Sequence, residues 1–382
     1  MPTEPLYPAY LPTRPDGFQP TIDVPFFEAE EPGARAKATQ PSSPSSPSIF
    51  RDGGAAKVEN ITPRVGAEVR GIQLSQLSKA DLDEVALLAA ERGVLVFRDQ
   101  DFADIGFDRQ KEIVRHYGPL HKVRIPRWDI QKAQAQSFTS STPMRKRKTH
   151  YLPLHPTEDQ EDLETHTYTH THDVRGNLRT LLGPRTTYDL WHIDQTFTPN
   201  TPSTTFFWVL ETPASGGGDT AFKSLTAAYE ALSPAYRAIL RGLSLFHTSA
   251  SVGEVARVGA ERALREAVST THPLVIRHPV TGKPSLFVNP TIARRVEGFL
   301  PEESDALLAF LHNHIKSLDF SCRIRWEAGS VVVWDQRSVA HSAVPDFREG
   351  ERRHMVRIIP YGSRPEPAFP EEHGRSHKDE EV

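Results

Sequence analysis

Apolar and polar positions change rhythm several times along the chain, and each change marks an element. From Val58 the run VENITPRVGAEVRGIQL alternates with a period of two and is broken at Pro63 and Gly66, which predicts a hairpin. Leu82, Val85, Ala86 and Ala89 then recur at helical spacing, with Ser78 as the expected N-cap, Asp81 at the third position and Gly93 as the stop. VLVFRD (94–99) is a continuous apolar run that predicts a buried strand, followed by a second helix over 102–117. From Tyr188 to Gly362 the short runs TTFFWVL, PLVIRHP, SLFVN, RIRW and SVVVWD are separated by turn signals. They predict a mainly β body with flanking helices, two of these near 225–242 and 302–316.

Other segments have no such rhythm. Residues 1–55 are rich in Pro, Ser and charge, and QPSSPSSPS at 40–48 has nothing to bury, so an extended N-terminal arm is expected. Tyr7, Tyr10, Leu11, Phe18, Phe26 and Phe27 would let parts of it dock on a folded body. The stretch from 121 to 186 is polar and irregular, with a basic knot RKRK, an acidic run EDQEDLE and the His-rich THTYTHTH. A connection of that length reads as a lid or insert within a domain spanning 56–365. Residues 366–382 read as a charged, disordered tail.

Composition narrows the partners. The net charge of −4, from 45 basic and 49 acidic residues, gives no chain-wide attraction to nucleic acid or to an anionic membrane. The single cysteine, Cys322, cannot form an internal disulfide, and the N-terminus has no apolar leader. No run approaches the roughly 18 apolar residues of a membrane span. A cytoplasmic protein with no membrane and no nucleic-acid partner is expected.

The chemistry concentrates in three places. In an extended Trp191-His192-Ile193-Asp194, the imidazole and the carboxylate point to one side and can share a metal ion. H-x-D alone is common by chance, but His341 follows the buried run Val331–Trp334 and offers a third ligand just past a strand end. Two histidines and one carboxylate leave open positions suited to non-haem iron(II), although zinc hydrolysis can use similar ligands. In ERRHMVRIIPYG, Arg353, Met355 and Arg357 alternate onto one side, and a guanidinium facing inward calls for an anion. Gly216-Gly217-Gly218-Asp219 lacks the Lys-Ser/Thr ending of a phosphate loop and is better read as a turn carrying Thr220. Trp191 and Trp334 read as packing beside the ligands, and Phe197 and Phe206 as pocket residues.

These stretches, in order from about 58 to 362, resemble the taurine and 2,4-dichlorophenoxyacetate dioxygenases (TauD/TfdA-like), and especially their fungal sulfonate dioxygenase branch. VGAEVRGIQLSQL, VLVFRDQDF, WHIDQTF, GGDTAFKSLTAAYEALSP, HPVTGKPSLFVN, WDQRSVAHSAVPD and RRHMVR carry the likeness. The resemblance implies a double-stranded β-helix, a jelly-roll, cupin-like core. It also implies iron(II), 2-oxoglutarate as cosubstrate, and dioxygen. Carried over by position, His192, Asp194 and His341 are the iron ligands, Thr220 and Arg353 anchor the far carboxylate of 2-oxoglutarate, and Arg357 stands near the substrate's acid group. His121 either lines the pocket by its family position or makes a structural hydrogen bond.

Two positions depart from the taurine-using pattern. Where those members have a second histidine after Leu-His and an asparagine three residues before Trp-His, this chain has Val123 and Tyr188. Taurine is therefore not the expected substrate, and a larger or less polar acid fits better. The expectation is hydroxylation of a small anionic organic substrate, a sulfonate or similar acid, with release of succinate and CO2. An alternative is a biosynthetic enzyme that hydroxylates or desaturates a specialised carboxylate or amino-acid-derived metabolite. A reading of another class is a non-catalytic metal-binding β-helix protein. Related enzymes are often dimers or tetramers, so a homo-oligomer is expected.

Overall fold

The computed structural model describes residues 30–39, 48–50, 54–121, 191–250, 267–348 and 351–371. Val123, Tyr188, the RKRK knot, the His-rich run and the arm's early aromatics lie outside them. The predicted hairpin forms as β1 (Lys57–Asn60) and β2 (Ala67–Arg70), paired antiparallel. Ahead of it stands helix α1 (Pro32–Thr39), so this part of the arm is helical rather than extended. Its Gly33 comes close enough to the next helix, α2 (Lys79–Arg92), that a Cβ there would lie 3.1 Å from the backbone nitrogen of Leu87.

Helix α2 begins and ends where its sequence says. Ser78 and Asp81 form a capping box, and Gly93, at φ 76°, turns the chain out while its N–H donates to the Ala89 carbonyl. Strand β3 (Val94–Phe97) follows directly. The second predicted helix is shorter than expected: α3 covers Phe107–Arg115, because 102–105 form a turn that buries Phe102 and Gly106 takes a positive φ.

The remaining strands are β4 (Thr204–Glu211), β5 (Thr220–Ser224), β6 (Ser244–Thr248), β7 (Ser269–Pro273), β8 (Val275–Arg277), β9 (Pro284–Leu286), β10 (Ala293–Val296), β11 (Ser321–Ile324), β12 (Val331–Asp335), β13 (Val339–Ala343) and β14 (His354–Ile358). The stretch 225–242 holds two helices, α4 (Leu225–Ala231) and α5 (Pro234–Leu240), because Pro234 starts a new helix behind the Ser233 cap. Helix α6 (Pro301–His314) likewise begins on a proline.

Two sheets face each other. The larger has the order β1-β2-β3-β12-β4-β14 and the smaller β11-β5-β13. Between them lie Val94, Val96, Phe207, Val209, Phe222, Ile324, Val332, Trp334, Val339 and Met355. The outer face of the larger sheet, with Leu95, Phe97, Phe206, Trp208, Val331 and Val333, packs under α2 and α3. A third sheet, β10-β6-β7, and helices α4 to α6 share a separate apolar cluster. This is a mainly β sandwich with flanking helices, as the residue pattern predicts, and its jelly-roll core is the one that the family resemblance implies.

The body extends past residue 365. The Ala368 amide donates to the Val275 carbonyl, Pro367 bridges to Ile276, and Phe369 packs on the apolar cluster beneath β8. The first residues of the expected tail are therefore folded against the domain. No described helix is long and apolar enough to cross a membrane.

Candidate metal centre

Strand β13 places His341 opposite Phe222 of β5, on the inward face of the sandwich. His192 lies beside it through a two-residue antiparallel bridge, each backbone N–H donating to the other's carbonyl at 3.0 and 2.9 Å. Asp194, two residues on, turns its carboxylate between the rings. Its Oδ1 is 3.7 Å from His192 Nε2, and its Oδ2 is 3.9 Å from His341 Nε2. One ligand atom from each of the three residues lies within 4.8 Å of the others. Asp194 and His341 keep only 6% and 7% of their side-chain surface accessible, whereas His192 keeps 31%, so the cluster opens on the His192 side. Trp334 packs 5.0 Å from the His341 ring and Trp191 is buried beneath Lys223, so both tryptophans are packing groups.

The carboxylate is held from two directions. Gln336, just past the end of β12, donates from Nε2 to Asp194 Oδ2 at 2.5 Å and to Thr205 Oγ1 at 3.0 Å, while its Oε1 accepts the Asp194 amide at 3.1 Å. Arg357 donates from Nη1 to both Asp194 oxygens at 2.9 Å. Burial alone would raise the Asp194 carboxyl. The charges of Arg357, His341 and His192, with the Gln336 bond, instead hold it below the usual carboxylate range. The group is a fixed anion between two imidazoles.

A second polar group is built on the same inward face. Thr220 lies two residues before Phe222 on β5, and so on the same side of that strand. Gly216, Gly217 and Gly218 all take positive φ and form the turn that delivers it. Arg353, buried, donates from Nε to the Gly218 carbonyl at 2.6 Å and from Nη2 to Thr220 Oγ1 at 3.3 Å. Trp326 Nε1 also donates to Thr220, at 3.2 Å, and the Phe207 ring lies 6.0 Å from the Arg353 guanidinium carbon. The nearby Asp219 and Asp346 are both bound by Arg323. Burial pushes the Arg353 guanidinium down to about 10, against the raising fields of those two carboxylates, so it remains a cation at neutral pH. Its own hydrogen bonds go to neutral oxygens, a setting that favours an incoming carboxylate.

A scan of protein-family descriptions matches residues 57–359 to "Taurine catabolism dioxygenase TauD, TfdA family". The chain belongs to the TauD/TfdA dioxygenase family. Among its relatives is a protein of Penicillium expansum named "Alpha-ketoglutarate-dependent dioxygenase cnsP", 42% identical over 371 residues, which cover 96% of this chain and 90% of that one. Another is the "Alpha-ketoglutarate-dependent sulfonate dioxygenase" of Saccharomyces cerevisiae, 36% identical over 94% of this chain and 78% of its own length. A crystal structure of a taurine dioxygenase from Burkholderia xenovorans superposes with a TM-score of 0.59 at 24% identity, covering 81% of this chain and 91% of that one, and bears on the fold alone.

Within the TauD/TfdA frame, one expected pocket residue is misplaced. Phe206 points to the outer face of the larger sheet, stacked near Phe102 and Tyr117, away from Asp194. Its neighbour Phe207 pairs with Arg357 across the strands and lies beside Arg353. Phe197 is partly buried in the turn after Asp194. His121 is buried, 4.3 Å from the Tyr361 ring, and its backbone donates to the Ile359 carbonyl two residues beyond Arg357. The residues that sequence reasoning missed are Gln336, Phe207 and Trp326. None of the three stands out in the sequence, since TTFFWVL has no polar alternation to single out Phe207 and nothing in the spacing marks Gln336 or Trp326.

Proposed function

We propose that this chain is an iron(II)- and 2-oxoglutarate-dependent dioxygenase that hydroxylates a small organic acid, a sulfonate or similar anion, and releases succinate and CO2. The observation that carries this reading is the convergence of two groups on one inward face. His192, Asp194 and His341 are the ligands, and the buried Arg353–Thr220 pair is the carboxylate receptor. A structural metal site would need the first group and not the second. Two imidazoles and one carboxylate suit an iron(II) ion that must keep positions open.

When bound, the iron supplies dioxygen activation coupled to oxidative decarboxylation of 2-oxoglutarate. The protein's share is placement. Arg353 and Thr220 fix the far carboxylate of 2-oxoglutarate, and Gln336 keeps the Asp194 oxygens aimed between the histidines. Arg357, at the edge of the triad, gives the substrate's acid group a cation to meet. Trp334 and Phe222 pack behind the His341 ring and Phe207 beside Arg353, so the ligand and the cation are held against an apolar core.

A specialised carboxylate as substrate is a second reading, favoured by Val123 and Tyr188, which stand where taurine-using members carry polar sulfonate contacts. We place the enzyme in the cytoplasm, as a homo-oligomer without nucleic-acid or membrane partners. Its catalytic body starts near residue 56, with residues 121–186 as an insert. The test is a panel of taurine, longer alkyl sulfonates, sulfate esters and aryloxyacetates, scored for coupled succinate and product. Sulfite released from a sulfonate supports the first reading. Turnover confined to carboxylates supports the second, and no coupled turnover of any acid with iron(II) and 2-oxoglutarate refutes both.

A further inference from the structure

We infer that Asn289 and Thr196, backed by His247 and His272, are positioning residues that lock the turn carrying Asp194 and thereby set the metal affinity of the centre. The inference rests on the metal-centre reading above. The turn needs a lock because Gln195, directly after the ligand, sits at φ 49°, in the left-handed region that is strained for a non-glycine residue. Relaxing that strain would swing the carboxylate away from the imidazoles.

Three side chains oppose that movement. Asn289 donates from Nδ2 to the Ile193 carbonyl at 2.6 Å and to Thr196 Oγ1 at 2.9 Å, so it grips the residue before Asp194 and the residue two after it. The amide's orientation is set from its other end, where Oδ1 accepts the Thr291 hydroxyl at 3.0 Å. His247 Nδ1 bonds Thr196 Oγ1 at 2.8 Å, and His272 Nε2 donates to the Thr198 carbonyl at 3.0 Å. The two rings stand 5.5 Å apart, each against Phe287, and all four polar residues are buried. Burial pushes His247 down to about 3 and His272 to about 4, so this layer is uncharged and does not compete with Asp194 for the cation.

The bonds end on residues 193, 196 and 198, on either side of the ligand in the chain. Asp194 is therefore clamped through its carboxylate and amide by Gln336, and through the residues on either side of it by the Asn289 layer. Groups that orient a metal ligand typically change the metal's affinity by tenfold or more, and this layer orients the backbone that carries Asp194. A layer that merely satisfied buried polar groups would contribute to stability and leave metal affinity alone.

The full-length chain and its Thr196→Val, Thr196→Ser and Asn289→Ala variants are titrated with Mn(II), read by electron paramagnetic resonance, beside thermal unfolding without metal. Thr196→Val, which keeps shape and loses the hydroxyl, is expected to weaken Mn(II) about tenfold, and Asn289→Ala at least as much. Thr196→Ser is expected to restore affinity to within about twofold of the parent. If Asn289→Ala does not fold, the Thr196 pair decides. Parental Mn(II) affinity in Thr196→Val, with only a lower melting temperature, would overturn the inference. Equal weakening in Thr196→Val and Thr196→Ser would also overturn it, by assigning the effect to the threonine methyl. A parent chain that binds no Mn(II) would instead overturn the metal-centre reading, and the lock with it.

Discussion

Replacing Gly218 by alanine tests the proposed carboxylate receptor without touching any charged group. Gly218 lies at φ 71°, where a Cβ costs about 1–2 kcal/mol. That Cβ would stand 2.9 Å from Arg353 Cδ, 3.2 Å from its Nε and 3.3 Å from Phe347 Cδ1, so the Arg353 side chain must withdraw by several tenths of an ångström. Withdrawal lengthens the 2.6 Å bond from Arg353 Nε to the Gly218 carbonyl, a charge-assisted bond of a kind worth about 1.5–3 kcal/mol when wholly lost. Strain and the weakened bond together cost at most about 5 kcal/mol, with the guanidinium shifted relative to Thr220. The expected outcome is a lower melting temperature and a KM for 2-oxoglutarate raised tenfold or more, since about 1.4 kcal/mol is one decade. Mn(II) affinity should stay at the parental value.

Gly216→Ala is the control. Its φ is 79°, yet nothing lies within 4 Å of an added Cβ, so it should lose stability through strain alone and keep the parental KM. The readouts are succinate formation against 2-oxoglutarate concentration and thermal unfolding. A Gly218→Ala enzyme with parental KM and a lowered melting temperature would refute the route through Arg353.

The two neighbouring phenylalanines should separate: Phe206→Ala loses about 3–5 kcal/mol in urea unfolding with little effect on KM, whereas Phe207→Ala raises the KM for 2-oxoglutarate. Glu31→Ala removes both 2.7 Å bonds to the buried Arg337 Nη1, and should lower stability by about 1–3 kcal/mol in urea melts although residue 31 lies far along the chain from the site. Asp335 accepts bonds from Arg337 and His278; burial raises its carboxyl, but these charges outweigh burial and hold it well below the ordinary value. Because the folded value is the depressed one, its contribution is full above the unfolded value of about 4 and is lost as pH falls below it. Asp335→Asn should therefore lower stability at pH 7 and flatten its fall at acid pH, followed by denaturant melts across that range.

Local rules account for much of what the sequence made legible. The Ser78–Asp81 capping box, the Gly93 stop and the β1–β2 hairpin depend on neighbours within a few residues, and all three formed as read. The clustering of His192, Asp194 and His341 was legible because H-x-D shares one side of an extended chain and His341 follows a buried strand. The error at Phe206 has a physical cause. Strand β4 is buried on both faces, so TTFFWVL has no polar alternation to tell inward from outward, and a one-residue choice selects the wrong side. Helix α1 was missed because PGARAKAT has little apolar periodicity. Long-range pairs, Arg35 with Asp83 and Glu31 with Arg337, tie it to the body. Gln336 and Asn289 look like any polar residues in the sequence, and only the fold brings them to the Asp194 turn.

The most direct measurement of the central claim is succinate formed by the purified chain with 2-oxoglutarate, dioxygen and an accepted acid, as a function of added iron(II), in the parent and in His192→Ala. The account predicts succinate that rises with iron(II) in the parent and is abolished in the variant. Undiminished succinate from His192→Ala, or a parent that binds zinc tightly and shows no affinity for 2-oxoglutarate, would contradict it.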